Sequence, residues 1–340
     1  MRRPSFFTRI LRALRGFSSQ RGEIPRSEPI STHPVVNLPE PETRKIGLLV
    51  IDPVLPGNQR LRQTMGWHDP DNLISALIDD LREVSHGYAN YIVTERIEMN
   101  EFPVKQDGFR YSAGDYLRRW QTHAPFHMPD AVNYHAIVDQ FDLIQKIDKG
   151  VFDEVWAICF PWGGFYESRM AGPGAFFCNA PPLEGSQHVS RRFIIMCYSY
   201  ERGVGEMLES YGHRAESILE EQFRQIPAPN NLWRRYTLYD KIAPGMAEVG
   251  NIHFAPNSLK DYEWGSMRPV PSRCRNWVHF PDLSGDPVMV DSREWGGGDI
   301  RAHHRWWFGL LPHVSGTTAG ISNNWWEYIV DPNRVTRRRL

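Results

Sequence analysis

Four short apolar runs alternate with helix-patterned segments, and this alternation narrows the folds open to the chain more than any other feature. The runs are KIGLLVID (45–52), YANYIVTER (88–96), FDEVWAICF (152–160) and RRFIIMCYS (191–199). Short runs rich in branched and aromatic residues read as strands buried on both faces. Between the first two, Leu73, Ile74, Leu77, Ile78, Leu81 and Val84 share one helical face, opened by Asp69-Pro70 and stopped at Gly87. A short helix is expected near 112–121. A longer one is expected over 132–148, with Ile137, Val138, Phe141 and Ile144 on its core side. Strands separated by helices pair in parallel through right-handed crossovers. The expected class is therefore α/β, an open and mostly parallel sheet with flanking helices.

Composition divides the 340 residues further. Residues 1–17 place Arg2, Arg3, Arg9, Arg12 and Arg15 around Phe6, Ile10, Leu14 and Phe17 at helical spacing. Such a basic amphipathic segment suits a membrane surface or an organelle presequence, and it lacks the continuous apolar stretch of a secretory signal. The expected compartment is the cytoplasm, with organelle targeting or peripheral membrane contact through 1–17 as alternatives. Residues 18–44 read as a proline-dotted linker, 45–225 as the α/β core and 333–340 as a basic tail. Residues 226–332, dense in Trp, Pro and turn residues, read as an aromatic-rich lobe or irregular layer packed on the core. A net charge of -1 supplies no electrostatic reason for a nucleic-acid partner. The four cysteines show no CxxC pattern, and Cys159 and Cys197 lie inside apolar runs, as reduced core cysteines do.

Ligands of open α/β sheets bind outside the carboxyl ends of the strands. The first run ends at Asp52, the second at Glu95-Arg96, and the fourth leads to Glu201-Arg202. The third enters a long loop carrying Trp162, Tyr166, Glu167, Arg169, Cys178 and Asn179. Connections longer than about 12 residues in compact domains are usually functional or disordered, and the aromatic content argues against disorder. Glu167 and Glu201 are the acid/base candidates, Arg169 a substrate-orienting cation, and Cys178 a candidate nucleophile. Asp52, Glu95, Trp162, Tyr166 and Arg202 are candidate substrate contacts. Charges at strand ends also pair with one another for purely structural reasons.

The stretch ERGVGEMLESYGHRAESILEE (201–221) poses a separate question. On a helical wheel Val204, Met207, Leu208, Tyr211, Ala215, Ile218 and Leu219 form the core face. Glu206, Glu209, His213, Glu216 and Glu220 lie opposite, as a solvated acidic stripe would. Gly205 and Gly212 on the flank are costly in an exposed helix, by about 1 kcal/mol each, and suggest close packing of another segment there. That cover would place Glu209 and His213 in a crevice, as candidate ligands for zinc or manganese. Further ligands would come from His253, His279, His303, His304 or His313.

GVGEML opens this helix as a dinucleotide-binding turn would, but Leu208 occupies the place of the third small residue, and no nucleotide cofactor is expected. The chain carries no HExxH, Walker lysine loop or GxSxG elbow. The expected function is hydrolysis of a polar substrate, a peptide or sugar, with divalent-metal assistance. The alternative is a non-catalytic glycan binder stacking sugars on Trp325 and its neighbours in the Trp-rich segment.

Overall fold

Backbone polar groups of a buried strand must be paired, and the four apolar runs do this by lying side by side. The computed structural model describes residues 38–228 and 230–336. The expectations for residues 1–17 and for most of the 18–44 linker and basic tail lie outside the described residues. Strands β1 (Glu42–Ile51), β2 (Ala89–Met99), β3 (Glu154–Cys159), β4 (Ser168–Ala171) and β5 (Phe193–Ser199) form one sheet in the order β2-β1-β3-β5-β4. The β1/β2, β1/β3 and β3/β5 pairs are parallel, and β4 runs antiparallel to β5 at the edge.

Helix α1 (Pro70–Val84) carries the chain from β1 to β2. Asp69 caps it by accepting from the Asp71 and Asn72 amides. After β2 the chain returns to the other side of β1 through α2 (Ala113–Thr122), α3 (Tyr134–Gln140) and α4 (Leu143–Asp148). The strand order therefore reverses between β1 and β3, where crevices of such sheets open.

Both sheet faces are covered. Leu48, Val50, Trp156, Ile158, Ile194 and Met196 face α1 and α5 (Val204–Phe223), together with much of the C-terminal segment. Leu49, Ile51, Val155, Ala157 and Ile195 face α3 and α4. This strict alternation is the period of two that a pleated strand imposes.

Three expectations are corrected. The second strand continues past Glu95-Arg96 to Met99. The helix expected over 132–148 is two helices, broken where Asp142 takes a left-handed φ of 52°. The long loop after β3 contains β4, whose SRMA sequence has no strand pattern of its own and is held by pairing with β5.

The segment after residue 230 is more regular than its composition suggests. It includes α6 (Ile300–Gly309), α7 (Trp326–Val330) and the hairpin His313–Thr318/Ile321–Asn324. No helix of the described residues is long and apolar enough to cross a membrane.

Candidate metal centre and strand-edge cleft

Helix α5 leaves the carboxyl end of β5 and carries the acidic stripe. Its flank is covered closely, as the two glycines suggested. A Cβ on Gly205 would lie 2.5 Å from Ile300 Cγ2, and one on Gly212 would lie 2.5 Å from Ile252 Cδ1. The cover is α6 on one side and the 250–264 segment on the other. Glu209 is consequently only 8% exposed. The solvated stripe that the helical wheel suggests is corrected at this position.

His253, from the covering segment, places Nε2 3.2 Å from Glu209 Oε1. His213 Nε2 lies 3.9 Å from the same oxygen, and His213 Nδ1 is 3.0 Å from Glu216 Oε2. One ligand atom from each of Glu209, His213 and His253 lies within 4.8 Å of the others, so the group could hold a metal ion. Burial pushes the Glu209 carboxyl up, but the His253 hydrogen bond and the neighbouring imidazoles outweigh it and hold it below its usual range. The Glu209 hydrogen bond raises the His253 imidazole. Burial lowers His213, yet its hydrogen bond to Glu216 and the surrounding carboxylates bring it above its ordinary value.

Beside this group opens a cleft of about 390 Å³ at the carboxyl ends of β3 and β5. Trp162, Glu167, Glu201 and Arg202 line it, so the structure brings four of the sequence candidates together. Asp130, Ser199, Glu206 and Ser210 also line it and were not singled out as site residues. Asp130 pairs with the buried Lys105, a residue with no local motif to announce it. Glu206 is partly committed to its own helix, accepting from the Gly203 amide at 3.1 Å. Glu167 accepts from Asn179 Nδ2 at 2.6 Å and is close enough to His213 to raise its imidazole. The cleft meets the Glu/His/His group along α5, whose Glu206, Met207 and Ser210 line it.

The remaining candidates are placed elsewhere, and their expected roles are corrected. Asp52 is buried beneath Arg62, accepting from the Arg62 amide at 3.1 Å, and braces the turn after β1. Glu95 pairs with Lys146 of α4 on the opposite sheet face. Arg169 points away from Glu167, donates to the Pro181 and Pro182 carbonyls, and stacks on Tyr134 at 4.8 Å. Tyr166 is exposed outside the cleft lining, where its amide donates to the Tyr134 hydroxyl.

Cys178 is fully buried against the Ser168 hydroxyl, and burial pushes its thiol up to about 11, the reverse of an activated nucleophile. Trp325 is 1% exposed, wedged among Phe223, Trp233, Tyr236, Trp277 and Phe280, so it offers no face to a sugar. Of the other histidines, His279 is exposed. His313 stacks on His86 with 3.5 Å between ring centroids.

One buried neighbour of His213 escaped sequence reasoning altogether. Arg214, next to His213, turns to the core and makes a bidentate pair with Glu154 of β3 at 2.7 and 2.8 Å, both side chains fully buried. Its place on the core side of the wheel was the available signal. No known protein family matches this chain, and no curated protein matches its sequence.

Proposed function

We propose that this chain is a hydrolase-type enzyme. Its polar substrate, a peptide or a sugar, binds in the cleft at the carboxyl edge of the sheet, and a divalent metal sits on Glu209, His213 and His253. The observation that carries the reading is the convergence of one carboxylate and two imidazoles within 4.8 Å, at a helix whose Glu206, Met207 and Ser210 line the strand-edge cleft. A mixed imidazole and carboxylate set suits zinc or manganese better than calcium, which prefers all-oxygen ligands. Bound there, such an ion would polarise a carbonyl or activate water at neutral pH.

Within this reading Glu167 and Glu201 serve as acid and base, Arg202 orients the substrate's negative or carbonyl end, and the half-open Trp162 ring forms a wall. The glycan-binding alternative draws on the HHRWWF and NNWWEY stretches, of which Trp307, Trp325 and Trp326 are interior and only Trp306 is half-buried.

The test is the metal content of full-length protein purified without chelators, measured by plasma mass spectrometry for wild type, His213→Ala and His253→Ala. Near-stoichiometric zinc or manganese in wild type, lost in both variants, is the expected result. Absence of metal from the wild type after supply of both ions would overturn the reading.

A further inference from the structure

Helix α6 packs across α5 where Gly205 lets Ile300 approach, and it brings His304 into the interior. His304 Nδ1 lies 2.6 Å from the Ile300 carbonyl oxygen, one turn back. A carbonyl only accepts, so Nδ1 carries the proton and Nε2 keeps a lone pair. Among the described residues, that buried Nε2 has no hydrogen-bond partner. Buried polar atoms seldom stay unpaired, so this one calls for an explanation.

The surroundings supply one. The two helices touch at Gly205 and Ile300 and again at Tyr211 and Phe308, and Glu209 and His304 lie between these two contacts. The Glu209 carboxylate is itself an acceptor. Two acceptors held close in a dry interior repel unless a proton or a cation lies between them. An imidazole whose other nitrogen is tied to a backbone carbonyl is the arrangement that orients histidine ligands. His303 differs. Its Nε2 is also unpartnered, but its ring lies between Trp264, on which it stacks at 5.2 Å, and Trp306 at 6.0 Å.

We infer that His304 is a fourth protein ligand of the Glu209, His213 and His253 centre, making it a three-imidazole, one-carboxylate site for a divalent transition metal. The inference deepens the metal-assisted reading and rests on it. In this structure His304 stands outside the group whose ligand atoms lie within 4.8 Å, so ligation requires its ring to close inward. Tyr262 and Trp264, packed against His253 and His304 at 4.5 and 5.1 Å, form the wall that would move with it.

The experiment titrates Zn²⁺ into full-length wild type, His253→Ala and His304→Phe against a chromophoric chelator, and counts imidazole ligands by X-ray absorption at the zinc edge. His304→Leu repeats the measurement should the phenylalanine not fit. The His304 variants should bind Zn²⁺ more than about tenfold more weakly and show two imidazoles where wild type shows three. Wild type that binds no Zn²⁺ overturns the underlying reading of the site. Zn²⁺ lost in His253→Ala but held by the His304 variants with wild-type affinity overturns this inference alone. Weaker binding with an unchanged imidazole count also overturns it, since His304 would then act from outside the ligand shell.

Discussion

Glu209 and His253 meet at 3.2 Å although 44 residues separate them in the chain. The contact joins the helix after the last parallel strand to a segment without regular structure. It exists because Gly212 has no side chain to hold that segment off.

Gly212→Ala sets two effects against each other. Alanine favours the helix by about 1 kcal/mol, whereas overpacking a tight contact costs about 1–3 kcal/mol. The new methyl would lie 2.5 Å from Ile252, next to His253, so the steric term should win. Chemical denaturation should show a net loss of stability, with weaker metal binding alongside. A more stable variant would mean that the 250–264 segment is free to move away.

The buried Arg214–Glu154 pair should matter most when broken one-sidedly. Arg214→Met leaves the Glu154 carboxylate buried without its guanidinium, a loss of about 3–5 kcal/mol. Combining it with Glu154→Leu should recover most of that loss, because neither charge then needs solvation. A double mutant as unstable as the sum of the singles would show that the Trp156 and Ile329 hydrogen bonds to the pair carry the energy.

If Glu167 and Glu201 work as acid and base, Glu167→Gln and Glu201→Gln should each lower turnover by about 10²- to 10⁴-fold. Thermal stability and metal content should stay near wild type. The assay is hydrolysis of a panel of peptide and glycoside substrates, scored on any that wild type cleaves. Unchanged turnover in both variants would remove the carboxylates from the chemistry.

Cys178 should be silent. Its thiol is held up to about 11 by burial, so Ellman's reagent should reach it only after unfolding, and Cys178→Ala should keep wild-type metal content. Rapid labelling of Cys178 in the native protein would contradict the packing of the β4 edge.

Burial, reinforced by the stacked His86 ring, lowers the imidazole of His313, although its contact with the Leu311 carbonyl opposes this. The unfolded chain then binds a proton at a higher pH than the folded one does. His313's contribution is therefore complete above about 6.5 and is lost progressively as the pH falls toward its folded value. Urea midpoints measured between neutral and mildly acidic pH, with chelator present, should fall on acidification. The fall should be shallower in His313→Phe, which keeps the stacking but cannot be protonated. Identical slopes would assign the acid sensitivity to other groups.

The four main strands, helix α1 and the core face of α5 were legible because each repeats a local period, two for a pleated strand and 3.6 for a helix. Strand β4 was not, since SRMA becomes a strand only by pairing with β5. The break at Asp142 was hidden because the apolar spacing of Ile137, Val138, Phe141 and Ile144 runs on through it.

The candidate site divides along the same line. Glu167, Glu201, Arg202 and Trp162 could be anticipated at one sheet edge, because strand direction alone determines where residues following parallel strands emerge. Which of the neighbouring charges face the cleft was settled only in three dimensions. Arg169 lies two residues from Glu167 in the chain, yet the Pro181 and Pro182 carbonyls and the Tyr134 ring hold it outside the cleft. The sequence by itself determined the α/β class, the face α5 buries and the glycines that let something approach its flank. Only the tertiary structure decided that Ile252 and Ile300 fill that flank and that His253 arrives beside Glu209. Such contacts join distant segments through shape and burial, and no local periodicity records them.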